Sequence, residues 1–169
     1  PTYNSTTKEG IDVQWNNLLT DQAYEPGSTM KVLALAAAIN EGVFDPNEKY
    51  KSGSVKIYTD LVRDYNKVGW GNITYLEGLA HSSNVAFVYI IQKIGIEKWK
   101  QYLEAFGFGK STNSGFANEI SGSNPFNSYL QQLSTGFGQG ITVTPFQMMQ
   151  AFTAIANGGQ MQKLRLVDH

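Results

Sequence analysis

One segment constrains the fold more than any other part of the chain. Residues 28–40 are rich in Ala, Leu, Met and Lys, which are strong helix formers. Pro26-Gly27 turns the chain into this segment, and Gly42 is placed to end it. Apart from Lys31 the segment is apolar nearly all round, which is typical of a helix buried on every side. The sequence therefore predicts a fold built around a buried central helix.

Capping signals predict four further helices. A capping-box spacing at Thr74 and Glu77 begins one of them, and Thr144-Pro145 with Gln147 begins another. The four predicted helices run from Tyr75 to near Ala80, from about Asn84 to Ile94, from Ile96 to Phe106, and from Thr144 to Asn157-Gly158-Gly159. Strand signals are few, namely Val55–Tyr58 and Lys163–Val167. The chain is predicted to be helix-dominated with two short strands.

Composition excludes several classes of protein. The 169 residues suit one domain or part of a larger one, and Lys+Arg 13 against Asp+Glu 14 gives a net charge of -1, which argues against a nucleic-acid binder. The absence of Cys excludes thiolate metal sites, and His81 and His169 are the only imidazoles, so we expect no metal and no cofactor. No apolar run approaches the ~20 residues of a membrane span. We expect membrane attachment only through an anchor outside this sequence.

The start of the central helix carries a candidate nucleophile and base. Ser28 and Lys31 are three residues apart, so both lie on one helix face and their side chains can meet. Serine is a poor nucleophile until a base takes its proton, and lysine can be that base only when it is neutral. Burial and the positive end of the helix dipole both oppose charge on Lys31. The alternative is a serine cap beside a lysine whose stem crosses to solvent.

A second polar cluster, His81-Ser82-Ser83-Asn84, falls between two predicted helices. A hydroxyl and an amide two positions apart on a tight turn can point the same way and offer a proton relay and a hydrogen-bond donor. The same residue types are also favoured as caps of the following helix. Both interpretations can hold together.

The two clusters together resemble a known family. S-x-x-K at residues 28–31 and S-x-N at residues 82–84 are similar to motifs of class B penicillin-binding proteins, the cell-wall D,D-transpeptidases. Further similarities are Phe106-Gly107-Phe108-Gly109, Glu119-Ile120-Ser121-Gly122 and Gly138-Gln139-Gly140-Ile141-Thr142-Val143-Thr144-Pro145. The resemblance spans nearly the whole chain and implies the α+β serine transpeptidase/β-lactamase-like fold.

The resemblance implies roles for individual residues. Ser28 would attack a D-Ala carbonyl of a peptidoglycan stem peptide, or a β-lactam, and its backbone N–H would supply half of an oxyanion hole. Lys31 would be the general base, Ser82 would relay the proton to the leaving group, and Asn84 would bind the substrate amide. The resemblance also places Ser83, Tyr65 and Gln139 at the substrate. It implies a location on the extracytoplasmic face of the bacterial plasma membrane.

One family motif is missing. K-[ST]-G should follow S-x-N on a strand, but nothing after Asn84 matches it, and we interpret the earlier Lys51-Ser52-Gly53 as a surface turn. Residues 1–169 therefore resemble the helical lobe of a partial transpeptidase domain, α-rich and without most of the antiparallel sheet. We expect this chain alone to acylate weakly or not at all. Uncovered helix faces should also favour self-association or domain swapping.

Two other functions remain open at this point. A serine β-lactamase shares the nucleophile and base, although residues 119–123 do not fit the deacylating Glu loop of class A enzymes. A non-catalytic module that binds peptidoglycan or a partner needs neither acylation nor the missing strand. Gly109-Lys110-Ser111 ends like a nucleotide-binding P-loop, but Glu104 stands where that pattern needs Gly, and a helix precedes it.

Overall fold

A computed structural model of the chain describes residue 4, residues 6–10 and residues 16–165. Six α-helices and four short strands make up its regular structure. The helices are α1 Met30–Asn40, α2 Tyr75–Ala80, α3 Asn84–Ile94, α4 Ile96–Ala105, α5 Tyr129–Ser134 and α6 Pro145–Ala156. The strands are β1 Lys49–Lys51, β2 Ser54–Ile57, β3 Asp60–Arg63 and β4 Asn72–Thr74. Two 3₁₀ turns cover Gly27–Thr29 and Thr135–Phe137.

The central helix is confirmed, but its burial on every side is not. Met30, Leu33 and Ala34 are fully buried where α1 packs against α3, α4, α6 and the 3₁₀ turn Thr135–Phe137. Val32 is 39% exposed and Ile39 is 59% exposed. The prediction of all-round burial was therefore wrong, because the described elements leave these two side chains partly exposed to solvent.

The capping signals located the other predicted helices well. The boxes at Thr74–Glu77 and Thr144–Gln147 both form, and α3 ends at Gly95. On α4, Trp99 and Leu103 are fully buried, as the predicted apolar face requires. The short α5 and the two 3₁₀ turns were not predicted.

The strands form two separate antiparallel pairs. β1 pairs with β4, and β2 pairs with β3 in a hairpin that closes at Ile57↔Asp60. The strand predicted over Val55–Tyr58 corresponds to β2, but Tyr58 has a φ of 54° and lies in the turn of the hairpin. The other three strands were missed, since three or four residues give too little alternation to detect. Lys163, Leu164 and Arg165 form no strand, and the rest of that prediction, like His169, lies outside the described residues.

Within Lys51-Ser52-Gly53, Lys51 is exposed but Ser52 and Gly53 are buried, which corrects our interpretation of a surface turn. Ser52 is 5% exposed, and its hydroxyl donates to the Gly71 carbonyl and accepts from the Trp70 N–H. Gly53 is also buried, and a Cβ there would lie 2.8 Å from the Val68 carbonyl oxygen. The small side chains let this turn pass beneath neighbouring backbone instead of facing water.

The fold is α-rich with a small amount of strand, which confirms the predicted balance of helix and strand. The described part of the chain contains no helix with the length and apolar character needed to cross a membrane. α1, α2 and α3 bring the two polar clusters of the sequence together.

Candidate active site

The backbone around Ser28 is fixed by a close approach of two glycines. Gly27 N–H donates to the Gly138 carbonyl at 3.0 Å. Gly138 has a φ of 77°, and a Cβ at this position would lie 2.1 Å from the Gly27 carbonyl oxygen. Only glycine fits at Gly138, because both the left-handed backbone and the space exclude a side chain. The Gly138-Gln139-Gly140 segment therefore positions the turn that carries Ser28.

The helix that follows Ser28 has no side-chain cap. Pro26 precedes the 3₁₀ turn and offers no capping group, and Thr29 donates its hydroxyl to the Pro26 carbonyl instead of accepting from an N–H. The first N–H groups of a helix have no partner within it. Ser28 is itself exposed. No side chain therefore competes for the Ser28 N–H, whereas the neighbouring Gly27 N–H donates to the Gly138 carbonyl and the Met30 N–H donates to the Gly27 carbonyl.

The Ser82–Ser83 turn between α2 and α3 has an unusual backbone. Ser82 has a φ of 55°, in the left-handed region that non-glycine residues rarely adopt, at a cost of roughly 1–3 kcal/mol. Ser83 then caps α3 by accepting from the Ala86 N–H at 3.1 Å. This turn brings the Ser82 side chain next to Ser28.

A chain of hydrogen bonds links Ser28 to Lys31 through Ser82. Ser82 Oγ donates to Ser28 Oγ at 3.1 Å, and Lys31 Nζ donates to Ser82 Oγ at 3.1 Å. Lys31 Nζ also donates to the Ser82 carbonyl at 2.6 Å and to Asn84 Oδ1 at 2.8 Å. These are three bonds, the number an ammonium can donate.

The expected direct contact between Ser28 and Lys31 is replaced by this bridge. No hydrogen bond joins the two side chains, although both lie in the described part of the chain, since the three donors of Lys31 are used by Ser82 and Asn84. Helical spacing brought the two residues to one face, as predicted. Which hydroxyl the ammonium contacts was decided by the turn between α2 and α3.

Lys31 is placed where its charge is disfavoured. Its side chain is 2% exposed and its ammonium lies 5.6 Å from the centre of the Phe87 ring. Burial lowers the pKa of Lys31 from 10.5 to about 8, and the nearby carboxylate of Asp64 opposes part of this fall. The direction agrees with the sequence argument, and an uncharged amine is accessible close to neutral pH.

Asp64 was missed by the sequence analysis. Its carboxylate is 1% exposed and accepts hydrogen bonds from the Gly53 N–H, the Ser83 hydroxyl and the Val85 N–H at 2.7 to 3.1 Å. These donors lie 11 to 21 positions away in the sequence. No local pattern could have revealed them, because loops that approach only in the folded chain supply them.

A polar groove of about 350 Å³ runs beside Asn84. Gln139 lies on its wall with Arg63 and Phe137, and Asn84 Nδ2 donates to the Arg63 carbonyl at 3.2 Å. Asn84 and Gln139, predicted from different parts of the sequence, therefore share one groove.

Two other predicted substrate contacts differ sharply in exposure. Tyr65 is 73% exposed, and its ring lies 5.6 Å from Trp70, which stacks on His81 at 4.4 Å beside the Ser82 turn. Ser83 is fully buried, and its hydroxyl is bonded to Asp64. The structure does not support Ser83 as a substrate contact, because no part of its surface is accessible, and its role is to shape the turn.

Comparison with known proteins identifies the family. The penicillin binding protein transpeptidase domain model matches residues 1–169. Stage V sporulation protein D of Bacillus subtilis is 34% identical over 168 residues, covering 95% of this chain and 26% of that protein. Peptidoglycan D,D-transpeptidase MrdA of Escherichia coli is 30% identical over 162 residues, covering 85% of this chain and 25% of that protein.

A solved structure shares both the fold and much of the sequence. Penicillin Binding Protein 2X from Streptococcus thermophilus superposes with a TM-score of 0.88 at 38% identity, over 95% of this chain and 25% of that one. The chain thus spans about a quarter of the length of these relatives. With its S-x-x-K and S-x-N motifs joined in one hydrogen-bonded site, the chain belongs to the penicillin-binding protein transpeptidase domain family, in the class B group that its sequence resembled.

Proposed function

We propose that this chain carries the nucleophile half of a serine-type peptidoglycan D,D-transpeptidase that is acylated on Ser28. The observation that carries the proposal is the continuous hydrogen-bond path from Ser28 Oγ through Ser82 Oγ to Lys31 Nζ. A nucleophile, a relay and a buried amine in contact are the parts that acyl transfer by serine requires. The transpeptidase names of relatives such as MrdA support the same reaction.

Acylation begins with a proton leaving Ser28. Uncharged Lys31 takes it through Ser82 as Ser28 Oγ bonds to the carbonyl carbon of the penultimate D-Ala of a stem peptide. The tetrahedral intermediate then collapses, the peptide C–N bond breaks, and the proton passes back through Ser82 to the amine of the departing D-Ala. An ester on Ser28 remains. An acceptor amine of a second stem peptide then attacks this ester, and Ser28 regains a proton.

The uncapped start of the helix supports a role in stabilising the oxyanion. The Ser28 N–H has no side-chain competitor at this terminus, so it is available to one face of the developing charge. Asn84 is held with its Oδ1 on Lys31 and its Nδ2 toward the groove wall. We assign Asn84 and Gln139 to the substrate amides in the groove, and Tyr65 to an exposed aromatic position further along.

We further propose that this chain corresponds to the helical lobe of the domain. Its described strands pair only two by two, and no K-[ST]-G motif follows Asn84. A second oxyanion donor is therefore missing from these 169 residues, and losing one such donor typically lowers the rate by about 10²–10³-fold. We expect the isolated chain to acylate slowly for this reason.

The proposed partners follow from the same chemistry. β-Lactams would acylate Ser28 as mimics of the stem peptide, and a cell-wall substrate implies action at the extracytoplasmic face of the plasma membrane. Exposed apolar side chains on α1 and α6 favour self-association of the isolated chain. These side chains are Val32, Ile39, Met149 and Ile155. A monomer in sedimentation at all concentrations would contradict self-association.

Labelling with a penicillin tests the proposal. The complete polypeptide that contains this chain, and the chain by itself, are incubated with a fluorescent penicillin and followed by intact-protein mass spectrometry with peptide mapping. We expect one acyl group on Ser28 in the complete polypeptide, released slowly, and much slower labelling of the isolated chain. A Ser28→Ala variant should stay unlabelled.

Other results would point to other functions. Rapid release of the acyl group would indicate a β-lactamase, and no labelling of the complete polypeptide would indicate a non-catalytic module. Fast stoichiometric labelling of the isolated chain would contradict the proposed need for a second oxyanion donor.

A further inference from the structure

The Ser82–Ser83–Asn84 turn is held from two opposite sides. Lys31 binds residues 82 and 84, through the Ser82 carbonyl, the Ser82 hydroxyl and Asn84 Oδ1. Asp64 binds residues 83 and 85, by accepting from the Ser83 hydroxyl and the Val85 N–H. An ammonium and a carboxylate thus contact successive residues of one short segment.

Asp64 does more than stabilise one loop locally. Its Oδ2 accepts from the Gly53 N–H at 2.7 Å, and its own N–H donates to the Gly53 carbonyl at 2.9 Å. The carboxylate therefore joins three separate segments, which are the β1–β2 turn, the end of β3 and the start of α3. It is 1% exposed, and none of the ion pairs among the described residues includes it.

The strained backbone of Ser82 explains why the turn needs hydrogen bonds from both Lys31 and Asp64. A non-glycine residue with a φ of 55° tends to relax unless its neighbours hold it. Ser83 and Val85, one and three residues after Ser82, both donate to Oδ1 of Asp64, at 2.8 and 3.1 Å. Relaxation of Ser82 would break the bridge between Ser28 and Lys31.

We propose that Asp64 is a positioning residue for acyl transfer, which holds the Ser82 relay in its strained conformation and places a buried negative charge behind Lys31. The inference rests on the proposed function, because it concerns how readily Ser28 is acylated. Asp64 itself is buried and does not reach the substrate groove.

The charge of Asp64 has a consequence that a purely structural role lacks. Among the described residues it is the charge that alters the pKa of Lys31, and it raises that pKa against the lowering by burial. Removing this charge lowers the pKa of Lys31 further, so the amine becomes uncharged at a lower pH. The acid limb of the acylation profile should then move to lower pH.

Other titratable groups around Lys31 are few. α6 and the Thr135–Phe137 turn carry no acidic or basic side chain, and Lys93 of α3 is paired with Glu48. The charged side chains of α4 are Glu97, Lys98, Lys100 and Glu104, and Lys98 lies near Glu41 beyond the far end of α1. Beside the turn stand His81, Arg63 and Tyr50, and burial raises the pKa of Tyr50 to about 12, so it stays neutral.

The test compares three variants in the complete polypeptide that contains this chain. Asp64→Asn keeps the shape and removes the charge, and Ser83→Ala removes one hydrogen bond and keeps the charge. Glu119→Gln is the matched control, because Glu119 is also a carboxylate that accepts from loop donors, on Thr112 and Ser114, away from Ser28. The second-order rate constant for penicillin acylation is measured from pH 5.5 to 9.5.

We expect Asp64→Asn to lower the plateau rate about 10–100-fold and to move the acid-limb midpoint down by about one pH unit. Ser83→Ala should lower the plateau and leave the midpoint in place, and Ser83→Thr should restore part of the rate. Glu119→Gln should change neither quantity.

An unmoved midpoint in Asp64→Asn would overturn the charge role, and an unchanged plateau would overturn the positioning role. If Asp64→Asn does not fold, Ser83→Ala decides, because a wild-type rate in that variant would also overturn the positioning role. If the wild type itself is not acylated, the proposed function fails first, and this result is distinct from a failure of the inference.

Discussion

The beginnings of α1 and α6 look alike in sequence and differ in structure. Each beginning combines a proline with a hydroxyl residue: Pro26 is followed by Ser28 and Thr29 before α1, and Thr144 precedes Pro145, the first residue of α6. At α6, Thr144 accepts from the Gln147 N–H, and Gln147 Oε1 accepts from the Thr144 N–H in return. At α1 the residue before the helix is Thr29, which does not cap it, because its hydroxyl donates to the Pro26 carbonyl.

This difference separates a helix terminus with a side-chain cap from one that has none and lies beside the proposed nucleophile Ser28. α2, α3 and α5 also have a side-chain cap, so among the described helices α1 shares its uncapped start only with α4, which begins directly after Gly95. A capped terminus satisfies its N–H groups internally, at a gain of about 1 kcal/mol in stability. The start of α1 lacks this stabilisation, and no side chain competes for the Ser28 N–H.

The sharpest test of the contrast removes the hydroxyl at the uncapped terminus. Ser28→Ala should lower penicillin acylation by at least about 10⁴-fold, because no other nucleophile is positioned there. The free energy of unfolding should change by less than about 0.5 kcal/mol, since Ser28 is exposed. Acylation kinetics and urea unfolding measure the two effects. A large loss of stability would mean that Ser28 acts as a structural residue.

At the capped start of α6 we expect a loss of stability without a loss of acylation. Gln147 is 2% exposed, completes the capping box and donates to the carbonyls of Lys110 and Ser121. Gln147→Ala leaves these buried groups without partners and should cost about 2–4 kcal/mol in unfolding free energy. Acylation per folded molecule should stay near the wild-type rate. Loss of acylation without loss of stability would remove the distinction between the two termini.

The pH dependence of acylation tests whether the reactive terminus depends on an uncharged lysine. With a Lys31 pKa of about 8, the uncharged fraction rises from roughly 1% at pH 6 to roughly half at pH 8. Acylation should therefore increase about 50-fold over this range and level off above it. A stopped-flow profile with a non-titrating substrate measures it. A rate that is flat between pH 6 and 8 would exclude Lys31 as the base.

The smallest effect is expected at the box that starts α2. Thr74→Ala should lower the unfolding free energy by about 1 kcal/mol, because the Glu77 N–H loses its acceptor. Thr74→Ser keeps the hydroxyl and serves as the control, with a change of a few tenths of a kcal/mol. Thermal unfolding at fixed pH compares the two. Equal losses in both variants would show that the methyl group, not the cap, matters at Thr74.

Local signals predicted the parts of the fold that depend on neighbouring residues in sequence. The capping boxes, the glycine that ends α3 and the common face of Ser28 and Lys31 all involve residues within four positions of each other. The short strands were harder, because β1 pairs with β4 more than twenty residues later and neither has a pattern of its own. The buried turn at Ser52 was missed for the same reason.

The sequence by itself determined five of the six helices, the two polar motifs and the family. Only the tertiary structure decided that Ser82 bridges Ser28 and Lys31, that Ser83 is buried, and that Asp64 accepts a hydrogen bond from Ser83 in the turn. The physical reason is that a helical pattern fixes relations over one or two turns, whereas these contacts join segments 19 to 54 residues apart. Such contacts form only when several packed elements bring the segments together.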